Sequence, residues 1–325
     1  MRDHPRLRVL LALIAAFALI LGIAACGDDD EGDGGGDTSA NLIEENPDNN
    51  GIAITVGSKN FDEQFILGEI YAQGLEAAGY DVSTDLNLGD ETIAFKALGD
   101  GEIDAYPEYT STILTSIFEV PPEDVPGDAQ QAFDESQDEF EQLGLVAYPP
   151  TPFSSANAVG LLTKTADELG VSTISDLEGK SQDLVLAGSP ECRQRIDCLL
   201  GLEQNYGLEF KEFTPVAIEL RYAVLDKGDA DLSILFTTDA QLFTDPDTYT
   251  ILEDDKGVLP AGNVLFVARQ ETVDEAGDDF GTTVESVQSN LTLEVMQELN
   301  ARVAVDKEKP EDVAHDYLVE FGYVE

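Results

Sequence analysis

The stretch Asp104-Ala-Tyr-Pro-Glu-Tyr109-Thr-Ser-Thr112 decides the fold that this sequence predicts. It follows a helical run, residues 92–98, which a glycine-rich turn ending at Gly101 terminates. We expect a short strand from Ile103 to Tyr106, ended by Pro107, and then a loop that carries an aromatic ring and hydroxyl groups. In an open α/β sheet, the loop after a strand's carboxyl end is where ligands bind. The stretch alone is equally typical of an ordinary βα turn with a core tyrosine.

A second copy of this unit occurs later in the chain. Leu98-x-x-Gly101-Glu-Ile-Asp104 is matched by Leu225-x-x-Gly228-Asp-Ala-Asp231. An aromatic residue stands five positions after each aspartate, Tyr109 in one copy and Phe236 in the other, and threonines follow both. Two equivalent βα units that present an aromatic ring at the same offset predict two similar lobes that face one cleft.

Composition narrows the classes of function. The chain has 325 residues, enough for two domains, and 66 acidic against 17 basic residues give a net charge of −49. This charge excludes a general phosphate-binding surface and argues against nucleic acid as a partner. Of the two histidines, His4 lies in a segment that we expect to be removed, so His315 alone is left for a Ser-His-Asp or zinc site. We therefore predict no metal and no cofactor.

The N-terminal segment is typical of a bacterial lipoprotein. Arginines precede an apolar run, Val9 to Ala25, that is too short for a comfortable membrane span. Ile-Ala-Ala-Cys26 resembles a lipobox, which makes residues 1–25 a signal peptide and Cys26 the lipidated first residue of the mature chain. An uncleaved anchor is the alternative, and both place the protein outside the membrane. Residues 26–50 are of low complexity and acidic, and we interpret them as a flexible tether.

Ordered structure is expected from residue 51 onward. We assign residues 51–155 and 264–325 to a first, discontinuous lobe and residues 156–263 to a second lobe, joined by two crossing segments. Near the C-terminus the apolar pattern predicts one continuous helix from Val284 to Val305 and a last helix that Pro310 opens.

Two positions suggest binding of an anion. The turn Gly57-Ser-Lys59 leads into a helix N-terminus, where backbone N–H groups and a lysine would suit a carboxylate, although a capped helix with a solvated lysine also fits. Cys192 and Cys198 predict a disulfide that fixes the loop carrying Arg193 and Arg195. A guanidinium binds a carboxylate bidentately. A salt bridge to surrounding acids is the alternative, which we prefer for Arg193.

These segments resemble extracellular solute-binding proteins of the glycine betaine/carnitine/choline ABC transporter family. The resemblance runs from about Ile52 to the C-terminus and implies a two-lobed periplasmic-binding-protein-like (type II) α/β fold with two crossover segments, which closes on its ligand. The motifs that carry it are Gly57-Ser-Lys59-Asn-Phe-Asp-Glu-Gln64, Tyr106-Pro-Glu-Tyr109-Thr-x-Thr112, Glu191-x-x-x-Arg195-x-Asp197, Phe236-Thr-Thr-Asp239 and Leu252-x-Asp254-Asp255-Lys256.

The resemblance also implies the roles of single residues. By motif, Lys59, Thr112 and Arg195 would hold a ligand carboxylate. Tyr109 and Phe236 would be walls of an aromatic cage that attracts a quaternary ammonium by cation–π interaction.

The predicted cage is incomplete at two positions. Where the family often has tyrosines, this chain has Asn157 and Ala261. The cation would be less fully enclosed, so that affinity is lower or the ligand differs from glycine betaine. The amide of Asn157 could bind a hydroxyl or an N–H group of such a ligand.

We thus predict the lipid-anchored binding subunit of an ABC importer, a monomer that captures a small zwitterionic osmoprotectant of the glycine betaine, choline or carnitine type and delivers it to a separate permease. The alternatives are the same fold with another small zwitterion, such as an amino acid derivative, and a ligand sensor for a membrane receptor. A third is an extracellular hydrolase with paired carboxylates, for instance Glu108 and Asp239.

Overall fold

Two mixed β-sheets organise the protein, which we describe from a computed structural model over residues 41–325. The first sheet has the strand order β2-β1-β3-β11-β4, with β5 paired to β11, and the second has the order β10-β6-β9-β7-β8. The strands are β1 (Ala53–Gly57), β2 (Asp81–Asp85), β3 (Ala105–Tyr109), β4 (Leu145–Ala147), β5 (Ser154–Ser155), β6 (Asn157–Leu162), β7 (Val185–Gly188), β8 (Glu212–Pro215), β9 (Leu232–Phe236), β10 (Tyr249–Ile251) and β11 (Gly262–Arg269). The predictions for residues 1–25 and Cys26 lie outside the described residues.

Helices cover the faces of both sheets. They are α1 (Asp62–Ala77), α2 (Glu91–Asp100), α3 (Thr110–Thr112, continued by a π-helical turn over Ile113–Ile117), α4 (Ala129–Gln142), α5 (Thr163–Leu169), α6 (Leu199–Asn205), α7 (Arg221–Lys227), α8 (Ala240–Thr244), α9 (Gln270–Ala276), α10 (Asp278–Gln288), α11 (Leu293–Ala304) and α12 (Pro310–Glu320). None of these described helices has the length and apolar character that a membrane crossing requires.

The two sheets share one topology. In each, three strands run parallel (β2, β1 and β3 in the first; β8, β7 and β9 in the second), and an antiparallel strand follows, β11 or β6. The predicted two-lobed α/β fold is thereby confirmed, with β3 and β9 as equivalent strands.

The repeated Gly-x-x-Asp motif has the same structure in both copies. Gly101 and Gly228 end their helices in the left-handed conformation, with φ of 73° and 71°. Asp104 donates its backbone N–H to the carbonyl of Thr55 and accepts the Thr55 N–H at Oδ2, both at 2.8 Å. Asp231 makes the same pair of bonds to Val185, at 3.0 and 2.8 Å. Each aspartate therefore fixes the start of its strand against the neighbouring parallel strand.

Alternation along β11 shows how the first lobe builds its core. Val264, Phe266 and Ala268 face the helices α1 and α10–α12, whereas Leu265 and Val267 face α2 and α4. Because both faces are covered, the strand is apolar without interruption from Val264 to Ala268. The second sheet has a core of its own, which includes the two half-cystines Cys192 and Cys198.

The chain changes sheet at Ala156. Ser155 of β5 pairs with Gly262 in the first sheet, whereas Asn157 of β6 pairs with Phe236 in the second. This pairing supports the division into residues 51–155 with 264–325 and residues 156–263, which stays a prediction. At the predicted end of the second lobe, Gly262 and Asn263 pair with β5 of the first sheet.

The prediction that Pro107 ends its strand was wrong. Pro107 lies inside β3, opposite Phe266 of β11. The carbonyl of Phe266 accepts from Tyr148 on its other side, and β1 pairs with β3 only at Ala105. The missing N–H of the proline therefore removes no ladder hydrogen bond.

The continuous helix predicted from Val284 to Val305 was also wrong, because α10 ends at Gln288 and α11 begins at Leu293. Thr292 is the N-cap of α11, and its side chain accepts from the N–H of Val295. Leu291 in the break is fully buried. The sequence pattern stayed apolar across the break between the two helices, so only the N-cap residue Thr292 marks where the second helix begins.

The last ten residues of the predicted tether contact the body of the protein. The N–H of Ile43 donates to the carbonyl of Tyr323, and the N–H of Asn46 donates to that of Ala78. Residues Pro47–Asn49 form a 3-10 turn, and Asn49 is buried. The globular part therefore begins before residue 51.

Candidate functional site

A cavity of about 790 Å³, its open mouth included, lies between residues of the two lobes. All the predicted ligand-binding residues line it: Lys59, Tyr109, Thr112, Asn157, Arg195 and Phe236. The sequence therefore predicted which residues meet, whereas their roles toward a ligand stay predictions.

Three aromatic rings form one wall. Tyr109 stands at the end of β3 and Phe236 at the end of β9, and Phe61, the N-cap residue of α1, lies between them. The Phe61 centroid is 6.3 Å from that of Tyr109, with nearly parallel planes, and 5.3 Å from that of Phe236. Sequence reasoning missed Phe61, although it lies inside the motif that follows Lys59.

Lys59 is buried and already paired. Its Nζ forms an ion pair with Glu108 and lies 4.5 Å from the centre of the Tyr109 ring. Glu108 is fully buried and also accepts from the hydroxyl of Tyr106 at 3.1 Å and from the N–H of Tyr109 at 2.7 Å. The interpretation of Lys59 as a solvated lysine was therefore wrong.

Arg195 is held on a clamped loop. The predicted disulfide between Cys192 and Cys198 is confirmed, with a Cα–Cα distance of 5.2 Å. The guanidinium donates to both carboxylate oxygens of Asp197 and, through Nη1, to Glu91 Oε2 at 3.3 Å. Burial alone would lower the pKa of Arg195, but Asp197 and then Glu91 raise it above its usual value. The arginine is thus a permanent, internally balanced cation.

Arg193 lies away from this cavity. Its Nη2 donates to the backbone carbonyl of Phe213 at 3.0 Å, and its guanidinium lies 4.8 Å from the centre of the Phe213 ring. We preferred a salt bridge to surrounding acids for Arg193. In the described part of the chain it instead contacts Phe213.

Arg221 is a cation of the cavity that the sequence analysis missed. Its Cζ lies 3.9 Å from the centre of the Phe236 ring, and its Nη2 donates to Asp239 Oδ1 at 2.8 Å. Asp239 Oδ2 also accepts from the N–H of Phe236 at 2.8 Å. No local signal near Arg221 indicates this contact, because the helix α7 and the end of β9 meet only in the fold.

The amide of Asn157 has a partner in the protein. Its Nδ2 donates to the carbonyl of Asp197 at 2.9 Å and so braces the loop that carries Arg195. Its predicted bond to a ligand would therefore use its oxygen. Beside the other predicted gap, Ala261, the cavity wall is formed by Leu259 and Pro260.

A buried carboxyl group fixes the Tyr109 ring from behind the cavity. The Tyr109 hydroxyl donates to Glu63 Oε1 at 2.5 Å, and Asn300 donates to Glu63 Oε2 at 2.7 Å and to the carbonyl of Thr238 at 3.0 Å. Burial raises the pKa of Glu63, and burial followed by the charge of Glu63 raises the pKa of Tyr109 well above its usual value. The ring is therefore neutral, and the hydrogen-bond chain that positions it ends at Thr238 of the second lobe.

Acids outnumber bases on the cavity wall. Among its lining residues in the described part of the chain are four carboxylates, Asp90, Glu91, Glu191 and Asp197, and three cations, Lys59, Arg195 and Arg221. Each of these cations has a carboxylate partner in the protein. Within residues 41–325, no group of three or more acidic, histidine or cysteine side chains could hold a metal ion.

A family model described as the substrate-binding domain of ABC-type glycine betaine transport systems matches residues 52–320. The chain belongs to this family. It is the solute-binding component of an ABC importer, and the family consists of extracytoplasmic binding proteins that work with a permease, not of enzymes. Glu108 and Asp239, the carboxylates of the hydrolase alternative, are bound to Lys59 and Arg221.

Individual relatives agree with the family assignment. A glycine-betaine-binding protein of Pseudomonas aeruginosa is 31% identical over 278 residues, which cover 82% of this chain and 87% of that protein. An ergothioneine transport permease/ergothioneine binding protein of Helicobacter pylori is 29% identical over 99% of this chain, which spans only 53% of that protein. A solved structure described as a glycine betaine/carnitine/choline ABC transporter has a TM-score of 0.65 at 24% identity, covers 82% of this chain and 99% of its own, and shows the fold.

Proposed function

We propose that this protein is the lipid-anchored binding subunit of its importer and that its ligand is a small quaternary ammonium compound of the glycine betaine, choline or carnitine type. The observation that carries the proposal is the aromatic wall, in which Phe61 of the first lobe lies between Tyr109 of the same lobe and Phe236 of the second. A quaternary ammonium cannot donate hydrogen bonds, so aromatic faces and nearby negative charge are what can recognise it.

The energetics of the wall support a cationic head group. A desolvated cation over an aromatic face gains about 2 kcal/mol or more. Lys59 and Arg221 already lie at the rings of Tyr109 and Phe236, at 4.5 and 3.9 Å. Each of these cations covers one face of its ring, so a ligand cation would use the opposite face or the ring of Phe61.

The charge of the wall supports the same head group. The lining carboxylates outnumber the lining cations, so a positively charged ligand enters a field that attracts it. Closure around the ligand would then join the lobes, because Tyr109 and Arg195 belong to different lobes.

The anchor and the partners follow from the sequence and the family. The lipobox-like Ile-Ala-Ala-Cys26 supports a lipid on Cys26 at the outer face of the cell membrane, with the following acidic segment as a spacer. We propose that the protein acts as a monomer and delivers its ligand to the permease. It makes no chemical change in the ligand.

Binding calorimetry with choline, glycine betaine, carnitine, proline betaine and ergothioneine tests the ligand. We expect saturable binding of at least one of them, and a loss of at least tenfold, about 1.4 kcal/mol, in Phe236→Leu, which keeps apolar bulk but removes the aromatic face. The matched control is Phe213→Leu, a ring of the second lobe outside the cavity.

A neutral ligand gives the sharpest comparison. In 3,3-dimethylbutan-1-ol a carbon atom replaces the nitrogen of choline, so the shape is kept and the charge is lost. Equal affinity for the two compounds would exclude cation–π recognition. Silence with the whole panel would exclude the quaternary ammonium proposal, and saturable binding of an amino acid instead would favour the alternative of another zwitterion.

A further inference from the structure

We propose that Glu91 is a specificity-determining residue of this site. Its carboxylate binds the edge of the Arg195 guanidinium that a ligand carboxylate would need. The protein therefore favours a quaternary ammonium alcohol over a quaternary ammonium carboxylate. The inference rests on the proposed function and narrows it to one class of ligand.

The donors of Arg195 show where a ligand carboxylate would have to bind. Asp197 takes the edge formed by Nε and Nη2, with Nε to Oδ1 at 2.8 Å. The other edge, formed by Nη1 and Nη2, is the only one left for bidentate binding of a second carboxylate. Glu91 Oε2 lies 3.3 Å from Nη1 and so holds this edge.

Glu91 reaches Arg195 from the opposite lobe. It is the first residue of α2, whose N-cap is Asp90, and α2 packs on the first sheet. Arg195 lies between the half-cystines that pack in the core of the second lobe. The contact therefore crosses the cleft in which a ligand would lie. Both side chains are largely buried, with 7% of Glu91 and 17% of Arg195 exposed.

Two features keep the Glu91 carboxylate in place. The N-terminus of α2 carries a partial positive charge that stabilises an anion in its first turn. The guanidinium supplies a full positive charge and a hydrogen bond. A ligand carboxylate that displaced Glu91 would leave this buried negative charge without its partner, next to Asp90 and Asp197 on the same wall.

A ligand hydroxyl meets a different situation. It donates a hydrogen bond, and the Glu91 carboxylate is an acceptor that lines the cavity. Choline and glycine betaine carry the same trimethylammonium head and differ in the other end, a hydroxymethyl group or a carboxylate. The same residue therefore attracts one ligand and repels the other.

The test is the ratio of the dissociation constants for glycine betaine and choline, measured by calorimetry on the wild type and on Glu91→Gln. The glutamine keeps the size and a carbonyl oxygen for Arg195 but removes the charge. We expect the ratio to shift at least tenfold in favour of glycine betaine. Glu91→Ala should shift it in the same direction and serves if the glutamine variant does not fold.

The control is Glu102→Gln, which removes the same charge from an exposed residue just after α2, outside the cavity. It should leave the ratio unchanged. A ratio that stays within threefold in the Glu91 variants, while the wild type binds either ligand, overturns the role of Glu91 and leaves the proposed function intact. Failure of the wild type and of the variants to bind either ligand overturns the role of Glu91, whereas the proposed function falls only if carnitine, proline betaine and ergothioneine do not bind either.

Discussion

At the residue scale, the cations of the cavity wall are bound to carboxylates of the protein itself. Burying an unpaired ammonium costs several kcal/mol, and a close carboxylate with further hydrogen-bond donors offsets much of this cost. Glu108 meets this condition for Lys59, because the Tyr106 hydroxyl and the Tyr109 N–H satisfy its remaining oxygen sites. The pair therefore holds the tyrosine rings of the site in place, in addition to any contact that Lys59 makes with a ligand.

A double-mutant cycle measures this buried pair. We expect Glu108→Gln and Lys59→Met each to lower the free energy of unfolding by about 3 kcal/mol, because each leaves one charge without its partner. The double variant should lose clearly less than the sum of the two. Urea unfolding of the four proteins gives the coupling energy.

An exposed pair provides the control for that cycle. Lys96 and Asp100 form an exposed ion pair one helical turn apart on α2. Lys96→Met should leave the unfolding midpoint unchanged. Additive losses in the Lys59 and Glu108 variants would show that the two buried groups do not stabilise each other.

At the element scale, the equivalent strands β3 and β9 place the two predicted aromatic residues at the cavity. Asp231 accepts the backbone N–H of Val185, the first residue of β7, and Asp104 accepts that of Thr55 in the middle of β1. Each aspartate precedes its own strand, β3 or β9. The aromatic residue five positions later therefore lies at the carboxyl end of that strand, next to the cavity. The aspartates thereby set the register that places both rings.

Removing either aspartate should therefore weaken its own lobe. Asp231→Ala takes a charged acceptor from the N–H of Val185, and we expect a loss of about 2 kcal/mol in the free energy of unfolding. Asp104→Ala should cost at least as much, because Thr272 also donates to Asp104 at 3.2 Å. Chemical denaturation measures both losses.

Asp229→Ala is the matched control, because this aspartate lies in the same turn as Asp231 and is exposed. Asp229→Ala should change the free energy of unfolding by no more than about 0.5 kcal/mol. Equal effects of the three substitutions would mean that the strand-capping bonds contribute nothing to stability.

The elements also show which parts of the fold a sequence can predict. Gly101 and Gly228 act through their own backbone conformation, so the helix ends and the repeat could be found from local pattern. The place of Pro107 in a central strand could not, because it depends on where the pairing of β1 with β3 stops. The contact of Arg221 with Phe236 depends in the same way on how the consecutive elements α7 and β9 pack against each other.

At the scale of the whole molecule, the excess of acidic residues acts on stability. A net charge of −49 on 325 residues repels itself more in the folded protein than in the expanded unfolded chain. Salt screens this repulsion, since the Debye length falls from about 30 Å at 0.01 M to about 3 Å at 1 M. The ion pairs of the cavity are buried and are screened much less.

We therefore expect the melting temperature to rise with sodium chloride between 0.01 and 0.5 M and then to level off, as screening becomes complete. A gain of about 1 kcal/mol would correspond to roughly 2–4 °C for a domain of some 200 residues. Scanning calorimetry at matched sodium and potassium chloride concentrations measures it, and both salts should give the same curve because screening depends on ionic strength alone. A melting temperature that falls with salt would mean that attractive ion pairs outweigh the repulsion, and a rise that stays linear up to 2 M would indicate solute exclusion instead.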